Sequence, residues 1–293
     1  MTLAGREIVV RRTRDHRRAE EWALVLEAEG LAPRLLHTSS GWIISVPSQH
    51  LERAATELWA YESEKLATET EEDRPWAGRA PFYTGVGVAA GLLAFFFLVA
   101  WTQESVRWIE HGNASTDWIL RGQLWRTVTA LTLHGDFPHV ASNAVALVFF
   151  LTAVCRSLGP GFGAAMVLGV GALGNLFNAW FHGFDHNSVG ASTAVFGALG
   201  LLGAIGVVER QRLGIQGRRA WIPLAAGVAI LAMLGTGGPR VDLWAHFWGF
   251  GAGAGAGICA ALFVERPETA AVQLRIGVAA AAAVVLCWIV ALA

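Results

Sequence analysis

The stretch DLWAHFWGFGAGAGAG (Asp242–Gly257) decides how this chain is built. It is apolar enough for a membrane helix, yet it carries His246 about one turn in. Behind that histidine, Gly249, Gly253 and Gly257 repeat every four residues and continue the same helical face. Faces of small residues let helix backbones approach closely inside a bilayer. Such a face calls for a partner.

The partner is VGASTAVFG (Val189–Gly197), in which Ser192 opens another apolar run and Gly200 follows on the Ser192 face. Packing the two faces together brings a histidine ring within reach of a serine oxygen. Two readings of Ser192 stand side by side. It is either a helix N-cap, whose oxygen accepts from an orphan backbone N–H, or a nucleophile. The Gly-x-Ser-x-Gly elbow of soluble hydrolases does not apply, because Ala194 occupies the second glycine position.

Composition supports a membrane reading. Of 293 residues, 54% are hydrophobic and only 15% charged, where a soluble domain carries about 25% charge. A net charge of −1 argues against a nucleic-acid partner. The three cysteines, Cys155, Cys259 and Cys287, lie far apart in apolar runs and read as small buried hydrophobes. The N-terminus, MTLAGREIVVRRTRDHRR, has no apolar stretch behind its charges and does not read as a signal peptide.

Residues 1–75 read as a small α+β domain in the order βαββα. REIVV, APRLLHT and GWIISVP are its strands. DHRRAEEWALVLEAEG is a helix burying Ala19, Trp22, Ala23 and Leu26, and SQHLERAATELWAYESEK is a second helix with Ser48 as N-cap. Its histidines His16, His37 and His50 lack ligand spacing, so docking or regulation is expected of it. A linker is expected at 76–81, a catalytic core of six helices at 82–264, and one further membrane helix at 265–293.

Seven apolar runs follow the first domain, near 82–101, 139–157, 163–182, 192–208, 221–237, 243–264 and 272–292, close to the ~20 residues a spanning helix needs. The basic residues Arg156, Arg210, Arg212, Arg218, Arg219, Arg266 and Arg275 share a side with the basic N-terminal domain. The positive-inside rule then puts the N-terminus in the cytoplasm and the loops 102–138, 183–191 and 238–242 outside, with a bacterial inner (plasma) membrane as the expected location. The first outer loop, with Trp101, Trp108, Trp118 and Trp125, reads as a segment lying in the lipid interface.

Three spans carry polar residues, all entering from the outer side: His134, His139 and Asn143 before and in the second, Ser192 in the fourth, His246 in the sixth. Each alone has a structural explanation. Together, at one depth where polar groups are costly, they favour chemistry. An ion or proton path is disfavoured, because these spans hold no carboxylate.

These residues resemble the rhomboid family of intramembrane serine proteases. The likeness runs from about Phe82 to Val264: a Trp-Arg element at Trp125 and Arg126, His-x-x-x-Asn at His139 and Asn143, Gly-x-Ser at Gly190 and Ser192, and Ala-His-x-x-Gly at His246. The resemblance implies that Ser192 is the nucleophile and His246 its base, a dyad with no Asp, acting through an acyl-enzyme. Asn143, His139 and the Ser192 backbone would form an oxyanion hole, while Trp125, Arg126, Gly190 and Phe196 support the site. Phe196 stands where the family often has Tyr. The implied substrates are transmembrane proteins met in the lipid bilayer, and no metal or cofactor is implied. The competing readings are a non-catalytic relative that only binds transmembrane helices and, third, a transporter.

Overall fold

The computed structural model describes residues 7–13, 15–38, 41–72, 80–102, 104–215, 217–234, 242–263 and 269–293. The chain divides into two compact units, Met1–Asp73 and Arg74–Ala293.

The first unit has the expected element order. Strands β1 (Glu7–Thr13), β2 (Arg34–Thr38) and β3 (Gly41–Pro47) form an antiparallel sheet in the order β1-β3-β2. A register shift between Val9 and Arg11 marks a bulge in β1. Helix α1 (His16–Ala28) starts where Asp15 accepts the Arg17 N–H. With α2 (Leu51–Glu72) it covers a core of Trp22, Leu26, Leu31, Ile44, Val46, Ala54 and Leu58. Ser48 does not cap α2. It opens a short 3-10 turn, Ser48–His50, whose cap position is Pro47 with no side-chain bond. His16 and His37 both pack on Trp42, so neither is placed as a ligand.

Six helices of the second unit are long and apolar enough to cross a membrane: α3 (Ala80–Trp101), α7 (Phe137–Leu158), α8 (Pro160–His182), α9 (Ser192–Arg212), α11 (Leu243–Phe263) and α12 (Ala270–Leu292). The fifth apolar run gives α10 (Ile222–Leu234), thirteen residues after a 3-10 turn at Gly217–Trp221; residues 235–241, into which that run extends, lie outside the described residues. The expected linker is shorter than 76–81, since Ala80 and Pro81 already belong to α3 and 76–79 lie outside the described residues. Arg266, used for orientation, also lies outside them.

Helix α9 is the centre of this unit, with nearly every residue from Thr193 to Val208 buried. Around it Leu131, Val140, Leu147, Leu151, Val167 and Leu201 form the main apolar core. The segment before α7 is folded rather than extended. It contains α4 (Ser105–Gly112), α5 (Thr116–Leu120), α6 (Arg126–Thr129) and a two-residue strand β4 (Ala114–Ser115), which pairs with β5 (Asn187–Ser188) of the loop before α9. Trp108 and Trp125 turn into a cluster with Trp288, whereas Trp101 and Trp118 stay exposed. The interface reading therefore keeps only two of its four tryptophans.

Helix α12 is fastened at both ends. The Gln273 Oε1 accepts the N–H groups of Gly161 and Phe162 at 2.8 and 2.9 Å, closing the start of α8. At the other end the Trp288 indole donates to Thr132 Oγ1 at 3.0 Å and its ring lies over Gly112. The cysteines are free, but only Cys155 is buried; Cys259 is exposed and Cys287 intermediate, which corrects the expectation for those two.

Candidate active site

Helices α9 and α11 meet backbone to backbone. A Cβ on Gly249 would lie 2.2 Å from the Thr193 carbonyl oxygen, and one on Gly253 would lie 2.0 Å from that of Gly197. From the other side, a Cβ on Gly200 would lie 2.1 Å from the Phe250 oxygen. The glycine face of α11 is thus filled by the backbone of α9, and His246 and Ser192 are set opposite each other. His246 Nε2 lies 2.8 Å from Ser192 Oγ.

Ser192 is not the cap of its helix. Ala191 holds that position in α9 without a side-chain bond, and Ser192 is the first helical residue, with its hydroxyl turned to His246. The capping reading fails on geometry. A first-turn position leaves backbone N–H groups without intrahelical acceptors, beside the positive end of the helix dipole.

Gly190 is explained by space and by torsion. Its φ of +132° disfavours a side chain, and a Cβ there would lie 2.8 Å from the His139 ring. His139 opens α7, where Asp136 accepts its N–H at 2.9 Å. One turn further on, the buried Asn143 turns its amide toward His134, with Nδ2 3.1 Å from His134 Nε2. His134 precedes α7 instead of beginning it. Its Nε2 also receives the Ala191 N–H at 3.3 Å. Burial, with a contribution from neighbouring His139, pushes the His134 imidazole down to about 4. It is therefore neutral near pH 7, and Nε2 acts as an acceptor for both groups.

Ser192, His246, Asn143 and His139 line one cavity of about 810 Å³. His186 and Asp242 line it as well. Asp242 sits just before α11 and caps it: its Oδ1 accepts the Ala245 N–H and its carbonyl the His246 N–H. Burial pushes the Asp242 carboxyl up, but the Ala245 N–H, His186 and Asn178 outweigh it and hold the group below the usual carboxylate range. Beside the cavity, Arg126 is 5% exposed and gathers the first loop. Its guanidinium donates to Gln123 Oε1, the Glu110 carbonyl, and both oxygens of Asn113, at 2.7–3.2 Å.

The family model of the rhomboid domain matches residues 121–264, a range that includes Arg126, His139, Asn143, Gly190, Ser192 and His246. The chain belongs to the rhomboid family. It is 26% identical over 183 residues to "Putative rhomboid protease YdcA" of Bacillus subtilis (strain 168), covering 62% of this chain and 88% of the relative. It is 28% identical over 180 residues to the rhomboid protease GluP of the same organism, covering 56% of this chain but 35% of that protein. A third relative, RHOMBOID-like protein 9, chloroplastic, of Arabidopsis thaliana, is 34% identical over 90 residues, 31% of this chain and 20% of its own length. Its activity is that of an intramembrane serine protease.

In this rhomboid the structure brings together Ser192, His246, Asn143, His139 and Gly190, and places Arg126 and Trp125 behind them as packing and anchoring residues. Two features escaped the sequence. His134 was grouped with its neighbours but given no part, and α8 adds a fourth polar helix face through the buried Asn175 and Asn178. Asn175 donates to the Thr127 carbonyl at 2.9 Å.

Phe196 lies one turn below Ser192 and is 5% exposed. Its ring centroid is 4.4 Å from that of His246, at an interplanar angle of 37°. The two rings meet in a tilted contact. Phe196→Ala is expected to lower kcat roughly 10-fold, because a base freed to turn costs more than the lost contact. Phe196→Tyr, which keeps the ring, is expected to stay near wild type. Full-speed cleavage by Phe196→Ala, with its melting temperature recorded alongside, would make the ring ordinary core.

Proposed function

We propose that this rhomboid hydrolyses peptide bonds in or next to transmembrane segments by a Ser192–His246 dyad, through an acyl-enzyme. The observation that carries the reading is the 2.8 Å Nε2–Oγ pair inside a cavity shared with Asn143. A serine hydroxyl is a weak nucleophile until a base takes its proton, and imidazole titrates near neutral pH. Ser192 Oγ attacks the scissile carbonyl while its proton passes to His246 Nε2. The oxyanion is met by the Ser192 N–H and the Asn143 amide, with His139 beside them; Gly190 leaves room for it. His246 then gives its proton to the leaving amine. Water, deprotonated by the same imidazole, releases the acyl group and restores Ser192.

The amide of Asn143 is suited to this part. Neutral His134 takes one of its N–H bonds, which fixes the plane of the group and leaves the second hydrogen for the oxyanion. Donors held in advance are what make such a hole effective. The proposed placement is a multi-pass protein of a bacterial inner membrane, the first unit in the cytoplasm and the cavity opening outward.

A fluorophosphonate probe tests the nucleophile directly. The detergent-purified chain is expected to label at one site, found by mass spectrometry on Ser192, and labelling should fall away in His246→Ala. A protein that stays unlabelled while binding transmembrane peptides would be a helix-binding relative without protease chemistry.

A further inference from the structure

Where His186 and Asp242 line the cavity, His182 joins them from a third segment. His182 ends α8, His186 lies in the loop before β5, and Asp242 immediately precedes α11. The two imidazole rings are stacked, with centroids 4.0 Å apart and planes within 8°. One ligand atom from each residue lies within 4.8 Å of the other two. His186 Nε2 is 2.7 Å from Asp242 Oδ2.

Asn178 organises this group from behind. Its Oδ1 lies 3.1 Å from His182 Nδ1, and its Nδ2 donates to Asp242 Oδ2 at 2.8 Å. With the His182 Nδ1 hydrogen directed at that amide oxygen, the lone pair of His182 is on Nε2. Such outer-shell bonds fix tautomer and ring orientation in metal-binding histidines. The loop is held too. Thr116 Oγ1 accepts the His186 N–H at 3.1 Å, and Asp117 accepts that of Asp185 at 2.8 Å. His186 and Asp242 keep side-chain exposures of 28% and 13%, so solvent reaches them.

We propose that His182, His186 and Asp242 form a binding site for a single transition-metal dication of the zinc type at the mouth of the cavity. Two neutral imidazoles and one carboxylate suit zinc, cobalt, nickel or copper, and not the all-oxygen preference of magnesium or calcium. On binding, the hydrogen that His186 Nε2 directs at Asp242 moves to Nδ1, or leaves to solvent where the ring is protonated, so that a neutral imidazole presents its Nε2 lone pair to the metal. The ligand atoms draw into the spacing that bonds of about 2.0–2.2 Å require. Three protein ligands leave an open position. The ion ties the end of α8 to the start of α11, across the entrance, and takes no part in the hydrolysis. The inference stands apart from the catalytic reading.

Cobalt(II) is the probe. Full-length protein in detergent, stripped with EDTA, is expected to take up one equivalent with a visible d–d absorption band that zinc displaces. His182→Ala and His186→Ala should each weaken uptake about 100-fold or more, and Asn178→Ala about 10- to 100-fold. Zinc should raise the melting temperature of the wild type and not that of His182→Gln. Ser192→Ala should bind as wild type does. No stoichiometric uptake by the wild type would overturn the proposal. So would uptake that survives in the His182→Ala/His186→Ala double variant, or that disappears in Ser192→Ala. Loss of probe labelling at Ser192 with cobalt binding intact would remove the dyad alone.

Discussion

Ser192→Ala and His246→Ala should each abolish cleavage of a transmembrane substrate, and the double variant should be no slower than either single one. Both groups act in one proton transfer, so losing one removes nearly all that losing both would. The fall is expected on the order of 10³-fold or more. Folding should survive Ser192→Ala because the hydroxyl caps nothing: α9 is capped at Ala191, without a side-chain bond. His246 is only 6% exposed, and its removal leaves a hole beside Phe196. His246→Gln, which keeps most of the bulk, separates lost chemistry from lost packing. Turnover within tenfold of wild type in a folded single variant would end the dyad assignment.

The second large effect is expected from the glycine seam, and it discriminates between neighbours. Gly253→Val sets a Cβ 2.0 Å from the Gly197 oxygen, where ordinary contact begins near 3.4 Å. The helices must part by about 1.4 Å, the difference of those two distances. Carried to the dyad, that shift breaks the 2.8 Å pair, and a misplacement near 1 Å costs about 100-fold in rate. Gly251 and Gly255, on the same helix, face open space. Gly251→Ala and Gly255→Ala should leave cleavage unchanged and, by helix propensity, stabilise the helix slightly. Equal damage from all of these substitutions would mean that α11 is simply glycine-dependent. Equal tolerance would mean that α9 and α11 do not pack this closely.

That seam was legible in the sequence because it is periodic. Glycine at every fourth position, with a histidine on the same face and a serine at the head of another run, is a pattern one helix displays by itself. The apolar runs and the order of the first unit were legible for the same reason. Pairwise facts between distant segments were not. Whether Ser192 bonds its own helix or His246 depends on where α11 lies. Nothing local marks Asn178 as the bridge between His182 and Asp242, or His134 as the acceptor for Asn143. His182 and His186 do stand four apart, but they straddle a helix end, where a helical spacing rule no longer applies.

Helix α12 has a consequence of a mechanical kind. Its two polar fasteners, Gln273 and Trp288, are fifteen residues apart, a helical rise of roughly 22 Å. That is a gauge block set inside a hydrocarbon layer of about 30 Å. An ordinary spanning helix meets a thinner or thicker bilayer by sliding or tilting on its own. This one cannot slip by even one turn without releasing both fasteners, so it must tilt together with α8 and the segment around Thr132. A change in bilayer thickness therefore meets α12, the start of α8 and the segment around Thr132 as one body.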